Sequence, residues 1–282
     1  MNVKRILFFV LAVAMLLSTF CFSSCDGKKK PEYTYEEALA FLDSGDTATA
    51  IDALRQLKGH KNADQKRKEL YISLFGEEIY NKIHSAEIGD VITYGNYEQD
   101  DNYDNGSEEI EWIVIDKDGD GNLLLLTKYA IDCVRYHKKK VDITWEECFT
   151  REWLNDSFIK AAFTEQEQMV IPVTYVENKD NPKYGTDGGN DTEDKVFLLS
   201  IEEAQNLFEK DSDRKTQGTK VAQLHYAYCD PFGNTAWWLR SPSFDNTKAA
   251  LVTDTGEVYI GAYHEVTEIY IATRPAMWLD LA

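Results

Sequence analysis

Trp237-Trp238-Leu239-Arg240-Ser241-Pro242-Ser243, followed later by Thr273-Arg274-Pro275-Ala276-Met277-Trp278-Leu279, decides how this chain is read. Both runs are short and apolar, and each carries an arginine within two residues of a proline. Between them, Ala249 to Thr253 and Glu257 to Ala262 flank Asp254-Thr255-Gly256, the pattern of two strands joined by a hairpin turn. Neighbouring residues on a strand point to opposite faces, so one of Trp237 and Trp238 is expected in the core and the other against a ligand or a covering helix. In so acidic a chain, Arg240 and Arg274 are expected to hold loop carbonyls or carboxylates, the alternative being a grip on an anionic ligand. With Trp237 and Trp278 they form a structural framework.

Upstream, Val91 to Gly95, Ile110 to Ile115 and Leu123 to Thr127 read as strands. The connector Asp116 to Asn122 begins like a calcium loop, but Thr127 stands where the bidentate glutamate belongs, so a hairpin turn is the better reading. Thr144-x-x-Glu147 is a capping box opening a helix with Trp145, Cys148 and Trp153. A second helix restarts at Asp156 or Ser157 with Phe158, Ala161, Ala162 and Phe163 on one face. A polar loop from Val176 to Asp194 concentrates Asp and Asn oxygens that could hold calcium, although these are also ordinary turn residues. Val196 to Leu199 reads as a buried strand, Ser200-x-x-Glu203 caps a helix running to about Lys210, and Ile269 to Leu281 carries the closing strand. Strands, then helices, then strands give an α+β plan with the ends of the domain meeting in one sheet.

Residues 34–84 read as helical, with a break at Gly45-Asp46 and a third helix from about Asn62 to His84. The first two helices resemble one tetratricopeptide-like hairpin, a unit too small to bury its own apolar face. This segment is expected to act as a short stalk or as a docking site.

The N-terminus reads as an export signal. Lys4 and Arg5 precede an apolar run from Ile6 to Leu17, shorter than the roughly 20 residues a spanning helix needs. Phe22-Ser23-Ser24-Cys25 resembles a bacterial lipobox, which implies lipidation of Cys25 after removal of residues 1–24. Ordinary cleavage without lipid is the alternative. Residues 25–33 then form a tether, and the protein is placed on the outside of a bacterial membrane. A net charge of −19 with no basic stripe excludes nucleic acid as a partner class. A hydrophobic fraction of 43% with 12% aromatics supports a packed core. Of the cysteines that follow the signal, Cys133 and Cys148 would close a short disulfide loop if geometry allows, leaving Cys229 over. Alternatively all three are small buried hydrophobes.

Ile110-Glu111-Trp112-Ile113-Val114, Thr144-Trp145-Glu146, Arg151-x-Trp153-Leu154-Asn155, Lys195 to Ser200, Trp237 to Pro242 and Arg274-Pro275-Ala276 together resemble a bacterial domain family of unknown function. That family is similar to the C-type-lectin-like fold of formylglycine-generating enzymes and of retroelement variable proteins. The resemblance covers about residues 86–282 and implies a C-type-lectin-like domain of mixed and antiparallel sheets with flanking helices. The copper chemistry of the enzymes needs two close thiolates, and only Cys229 lies in the C-terminal half. The calcium tripeptides of sugar-binding C-type lectins are not found ahead of the closing strands. The five histidines show no H-E-x-x-H spacing, and no G-x-S-x-G elbow or phosphate loop occurs. The expectation is a non-catalytic module binding an extracellular glycan or protein without a resident metal. By analogy with the fold, the ligand surface comprises Trp238, Ser243, Asp245 and Asn246, with Asn190 and Asp191 opposite. The alternatives are an enzyme derived from the formylglycine-generating fold and an envelope scaffold working through its helical segment.

Overall fold

A computed structural model of the chain describes residues 31–280; Cys25 and the signal segment lie outside them. Four helices come first. Thr34 caps α1 (Tyr35–Asp43) in a capping box with Glu37, Gly45 turns the chain at φ +85°, and Asp46 caps α2 (Thr47–Gln56). The single third helix expected from the sequence is two, α3 (Lys61–Phe75) and α4 (Glu77–His84). Gly76 separates them at φ +85°, a left-handed backbone that no right-handed helix can pass through.

These helices do not stand away from the body as a stalk. Ile51, Tyr71, Tyr80 and Ile83 belong to the same buried core as Trp112 and Leu125, while Ala38, Ala53, Leu54 and Ala63 fill a small satellite core between helices. An apolar face that a helical hairpin cannot bury alone is thus covered by the rest of the domain. The attachment is also ionic: Arg55 Nε donates to Asp280 Oδ2 at 2.6 Å, and Tyr71 Oη lies 3.4 Å from the same oxygen. No helix among the described residues is long and apolar enough to cross a membrane.

The main sheet is antiparallel in the order β1 (Val91–Tyr97), β2 (Glu108–Lys117), β3 (Leu123–Thr127) and β9 (Ala276–Leu279), so the domain's first strands and its last lie in one sheet. β3 pairs Leu125 with Met277, and every residue of β3 is buried. Its run of leucines is what a strand covered on both faces requires. Asp118 holds the β2–β3 turn by accepting from Asp120 N and Asn122 N, both at 2.9 Å.

Between the sheet halves, Trp145–Glu147 forms a single 3-10 turn, and Thr144 makes no side-chain cap. Thr144 is instead packed against Gly189, where an added Cβ would lie 2.6 Å from its side chain. The helix proper begins after Cys148 as α5 (Phe149–Trp153), passes through a π-helical turn at Leu154–Phe158 and continues as α6 (Ile159–Ala162). Asp156 and Ser157 therefore lie inside a continuous helix, not at a restart. The wide turn serves Asn155, whose Oδ1 accepts from Lys195 N (2.9 Å) and Val196 N (3.1 Å) while its Nδ2 donates to Val196 O (2.8 Å). Such turns recur where one residue must reach out of the helix.

After α7 (Glu165–Met169), β4 (Thr174–Val176) pairs with β5 (Thr192–Asp194) across the long polar loop. Residues 196–199 are buried as expected but form no regular strand. Phe197 exchanges backbone hydrogen bonds with Ala276 of β9, and Leu199 O accepts from Arg240 N at 2.9 Å. This segment stitches the main sheet to a second one, β6 (Trp237–Pro242), β7 (Ala249–Val252) and β8 (Val258–Tyr259). The helix capped by Ser200 is shorter than expected, α8 (Ile201–Asn206), and precedes α9 (Asp211–Arg214) and α10 (Lys220–Leu224).

Candidate functional site

β6 is buried along its whole length because both of its faces are covered. On one face Arg274 lies 5.1 Å from the Trp237 ring, and Trp237 Nε1 donates to Arg214 O at 3.2 Å. On the other, Tyr136 meets Trp238 edge-on at 5.9 Å. Trp237 and Trp238 are both fully buried, so Trp238, expected among the ligand-surface residues, has no surface for a ligand. Arg274 is fully buried. Its guanidinium donates to Thr127 O (2.8 Å) and Arg214 O (3.0 Å), while burial pushes its pKa down to about 9.

Arg240 lies farther along the same strand and forms the floor of a cleft. Its Nη2 donates to Glu177 O (3.0 Å) and Glu203 Oε1 (2.8 Å), and its Nη1 donates to Leu198 O (2.9 Å) and to Glu203 Oε2. Glu203 is at the third position of α8 and at the same time accepts from Ser200 N at 2.8 Å, closing that helix's capping box. One carboxylate thus caps a helix and pairs two-pronged with a buried guanidinium, so the floor is rigid and polar. Arg240 Nε is buried without a hydrogen-bond partner among the described residues.

The cleft encloses about 760 Å³ between α8 and the loop that follows β4. That volume lies within the usual range for small-ligand sites. Tyr175, Phe197 and Trp278 contribute rings to its lining. Lys179 crosses from the loop to the helix, 2.8 Å from Glu202 and 3.4 Å from Glu177, and those hydrogen bonds push its pKa up. Tyr175 hydrogen-bonds Asp191, which raises the phenol's pKa and lowers the carboxyl's. Trp278, expected only as framework, is half-buried with an edge in this cleft.

The two expected ligand loops do meet, but they brace one another. Asn246 Nδ2 donates to Asp187 O (2.8 Å), Asn181 Nδ2 to Pro242 O (2.9 Å) and Thr186 Oγ1 to Phe244 O (3.0 Å). Ser243 is fully buried with its hydroxyl on Gly261 O at 2.6 Å, which leaves it no surface for a ligand. Asp245 holds Lys248 Nζ (2.8 Å) and Thr247 N (2.9 Å); burial works to raise its pKa, and these bonds bring it down overall. Asn190 Nδ2 donates to Glu146 Oε2 at 2.9 Å, and Asp191 accepts from Asn178 N at 2.7 Å, so both hold the rim of the long loop. The oxygens considered for calcium are used in the same way: Asp180 accepts from Gly188 N, Asp187 from Gly189 N and Asn181 from Lys183 N and Tyr184 N. They are turn formers here.

Three further residues, Arg151 and Trp145 from the motifs quoted above and Thr192, converge on Asp194, which is buried. Arg151 Nε (2.6 Å), Trp145 Nε1 (2.9 Å) and Thr192 Oγ1 (2.6 Å) all donate to its carboxylate. This knot ties α5 to β5 behind the cleft. Cys133, Cys148 and Cys229 are free thiols, so the Cys133–Cys148 bridge is not formed. Cys133 Sγ donates to Ile269 O and Ile271 O at 3.1 and 3.2 Å, and burial holds its pKa up at about 12. Cys229 is near enough to Cys133 to add to that shift, and it too is raised by burial.

The sequence carried part of this site. Arg240, Asp191 and the Ser200–Glu203 box were legible singly and Phe197 only as part of a buried strand; Tyr175 and Lys179 were not, and no local pattern marks them. Neither a curated protein nor a solved structure matches the chain. A family described as a domain of unknown function, DUF6273, matches residues 120–281, from the β2–β3 turn through the cleft to the end of β9. That span is more than half of the chain, and the chain belongs to this family.

Proposed function

We propose that the protein is a bacterial envelope lipoprotein, anchored through Cys25, whose C-type-lectin-like domain binds an extracellular glycan in the cleft over Arg240 without transforming it. The observation that carries this reading is the cleft itself, where exposed and half-buried rings stand beside fixed carboxylates and cations. Aromatic faces suit the apolar faces of sugar rings, and fixed polar groups at their edges suit hydroxyls. Both oxygens of Glu203 are held by Arg240, with Oε2 also taken by the helix cap, so this carboxyl is committed to structure and not to proton transfer.

The fold assignment is supported by the meeting of β1–β3 with β9 in one sheet, with a second sheet carrying the Trp-Trp strand. The α1–α2 pair, joined by the short turn at Gly45, suits the tetratricopeptide-like reading of the helical segment. The scaffold alternative needs an exposed apolar groove on residues 34–84. In that segment Ile79 is the one large hydrophobic residue that is well exposed, which favours the cleft over the helices as the working surface.

A screen of the chain from residue 26 onward against glycans and surface proteins, with and without calcium, tests the function. Saturable glycan binding that Arg240→Lys weakens supports it. Binding to proteins alone, or catalytic turnover of a bound glycan, overturns it. Anchoring is tested separately by Cys25→Ala, which is expected to release the protein from membranes; unchanged retention contradicts it.

A further inference from the structure

A second cleft, of about 490 Å³ and sharing no lining residue with the first, opens beside residues 132–138. It is lined by Asp132, Arg135, Lys138, Phe149, Trp153 and His225, with Cys133 and Val134 beneath. In a chain of net charge −19 the two unpaired cations here stand out. Arg135 is the one arginine among the described residues whose guanidinium has neither an ion pair nor a hydrogen bond; Arg55, Arg67, Arg151, Arg214, Arg240 and Arg274 all have partners. Among the described residues Lys138 has no carboxylate within ion-pair distance, and it lies 3.5 Å from the centre of the Phe149 ring.

The one acid in the lining is already engaged. Asp132 is buried and accepts from Tyr97 Oη (2.7 Å) and Cys133 N (2.6 Å), with His225 Nδ1 2.6 Å away. This contact turns one edge of the imidazole inward and leaves its Nε2 edge free, on a ring that is 55% exposed. Tyr226, the next residue, holds a left-handed φ of +81°, a conformation that non-glycine residues keep only where their surroundings demand it. The wall opposite is apolar, made of Phe149 and Trp153, both partly exposed.

We propose that this cleft binds a carboxylate carried on a ring. The planar fork of Arg135 matches a carboxylate two-pronged, Lys138, held over the Phe149 face, adds a point charge, and Trp153 takes the ring face. The charge balance selects the anion. Two cations against Asp132 leave one net positive charge, which suits a monoanionic carboxylate better than a phosphate ester of about −1.5 to −2. The ring comes either from a uronic acid within a glycan or from a free aromatic acid.

The test is calorimetric titration of the whole chain from residue 26 onward with glucuronate and with phenylacetate. Glucose and benzyl alcohol serve as neutral controls and glucose 6-phosphate as the dianionic one. Saturable binding of at least one carboxylate, with its neutral analogue about tenfold weaker or worse, is expected. Glucuronate alone binding identifies the glycan source, phenylacetate alone the free acid, and both together a site that reads only the shared chemistry. Arg135→Ala is expected to weaken binding about tenfold and Arg135→Lys by less, with unchanged thermal melting because Arg135 is exposed. Equal affinity for neutral and charged probes, preference for the phosphate, no saturable binding, or an Arg135→Ala variant that binds like the parent overturns the proposal. The two clefts have no lining residue in common, so Tyr175→Ala leaves this binding unchanged and failure here says nothing of the Arg240 cleft.

Discussion

Arg55 Nε lies 2.6 Å from Asp280 Oδ2, and this contact joins the second helix to the end of the last strand, 225 residues away. Arg67, itself fully buried, approaches the same carboxylate at 3.9 Å. Removing Asp280 takes a buried carboxylate from both arginines, leaving Arg55 with Asp52 and fully buried Arg67 with Asp64, each a more exposed carboxylate. Asp280→Ala is expected to cost about 3–5 kcal/mol, the range for breaking a buried ion pair from one side. Urea denaturation measures this. It should show one transition at lower urea, because the helices and the sheet share a core; two separate transitions would mean that the helices form a unit of their own.

Arg240 and Glu203 give a similar but smaller effect. Glu203→Gln keeps the shape but loses the charge, and Arg240→Lys loses the two-pronged geometry. Each is expected to lower stability by about 2–3 kcal/mol, less than at Asp280, because the Glu203 side chain is 32% exposed. Both variants should also weaken glycan binding, whereas Lys248→Ala, in the neighbouring loop, should leave it intact.

The thiols provide a pH test. Burial lifts Cys148 and Cys133 to about 12, from an ordinary 9.0. At pH 8 their thiolate fraction, and so their labelling by a disulfide reagent, should be about a thousandfold below that of a free cysteine. Burial also raises Tyr136 and Tyr94 well above the usual phenol value, and Tyr270 to about 12. The folded chain therefore keeps protons that the unfolded chain releases. These groups make stability fall as the pH rises from 9 towards 12, and Arg274, whose pKa is lowered, acts with the opposite sign and offsets part of that fall. Melting temperatures across that range check the sign; a rise with pH would contradict it.

Gly188 is close to the loop's own backbone. A Cβ there would meet Asn178 O at 2.2 Å and Lys179 O at 2.5 Å. Gly188→Ala is expected to cost about 1–3 kcal/mol by forcing those segments apart. Since Lys179 also crosses the mouth of the cleft, the same variant should weaken glycan binding. Thermal denaturation and titration of the one protein check both effects.

What could be read beforehand was what local chemistry determines. The Asp-Gly turn between β2 and β3, the Ser200–Glu203 cap and the leucine run of β3 each follow from a few adjacent residues. Gly76 was also there to be read as a break inside a helical pattern. The rest depends on distant partners. Trp238 is covered by Tyr136, about a hundred residues earlier, so alternation along β6 could not show that both of its faces are buried. The Arg240–Glu203 pair spans 37 residues, and each partner alone suggested a different role. Tyr175 belongs to a three-residue strand whose only sheet partner is β5, too short for a periodic signal.

The central claim is that a glycan occupies the cleft over Arg240, and Tyr175 tests it most directly. Its ring is 68% exposed, so its loss should not disturb folding. Calorimetric titration of the parent and of Tyr175→Ala with the best glycan from the screen is the measurement. The account predicts single-site binding by the parent, about tenfold weaker in the variant, with the same melting temperature in both. Equal affinity in the two proteins, or no glycan bound by either, would contradict it.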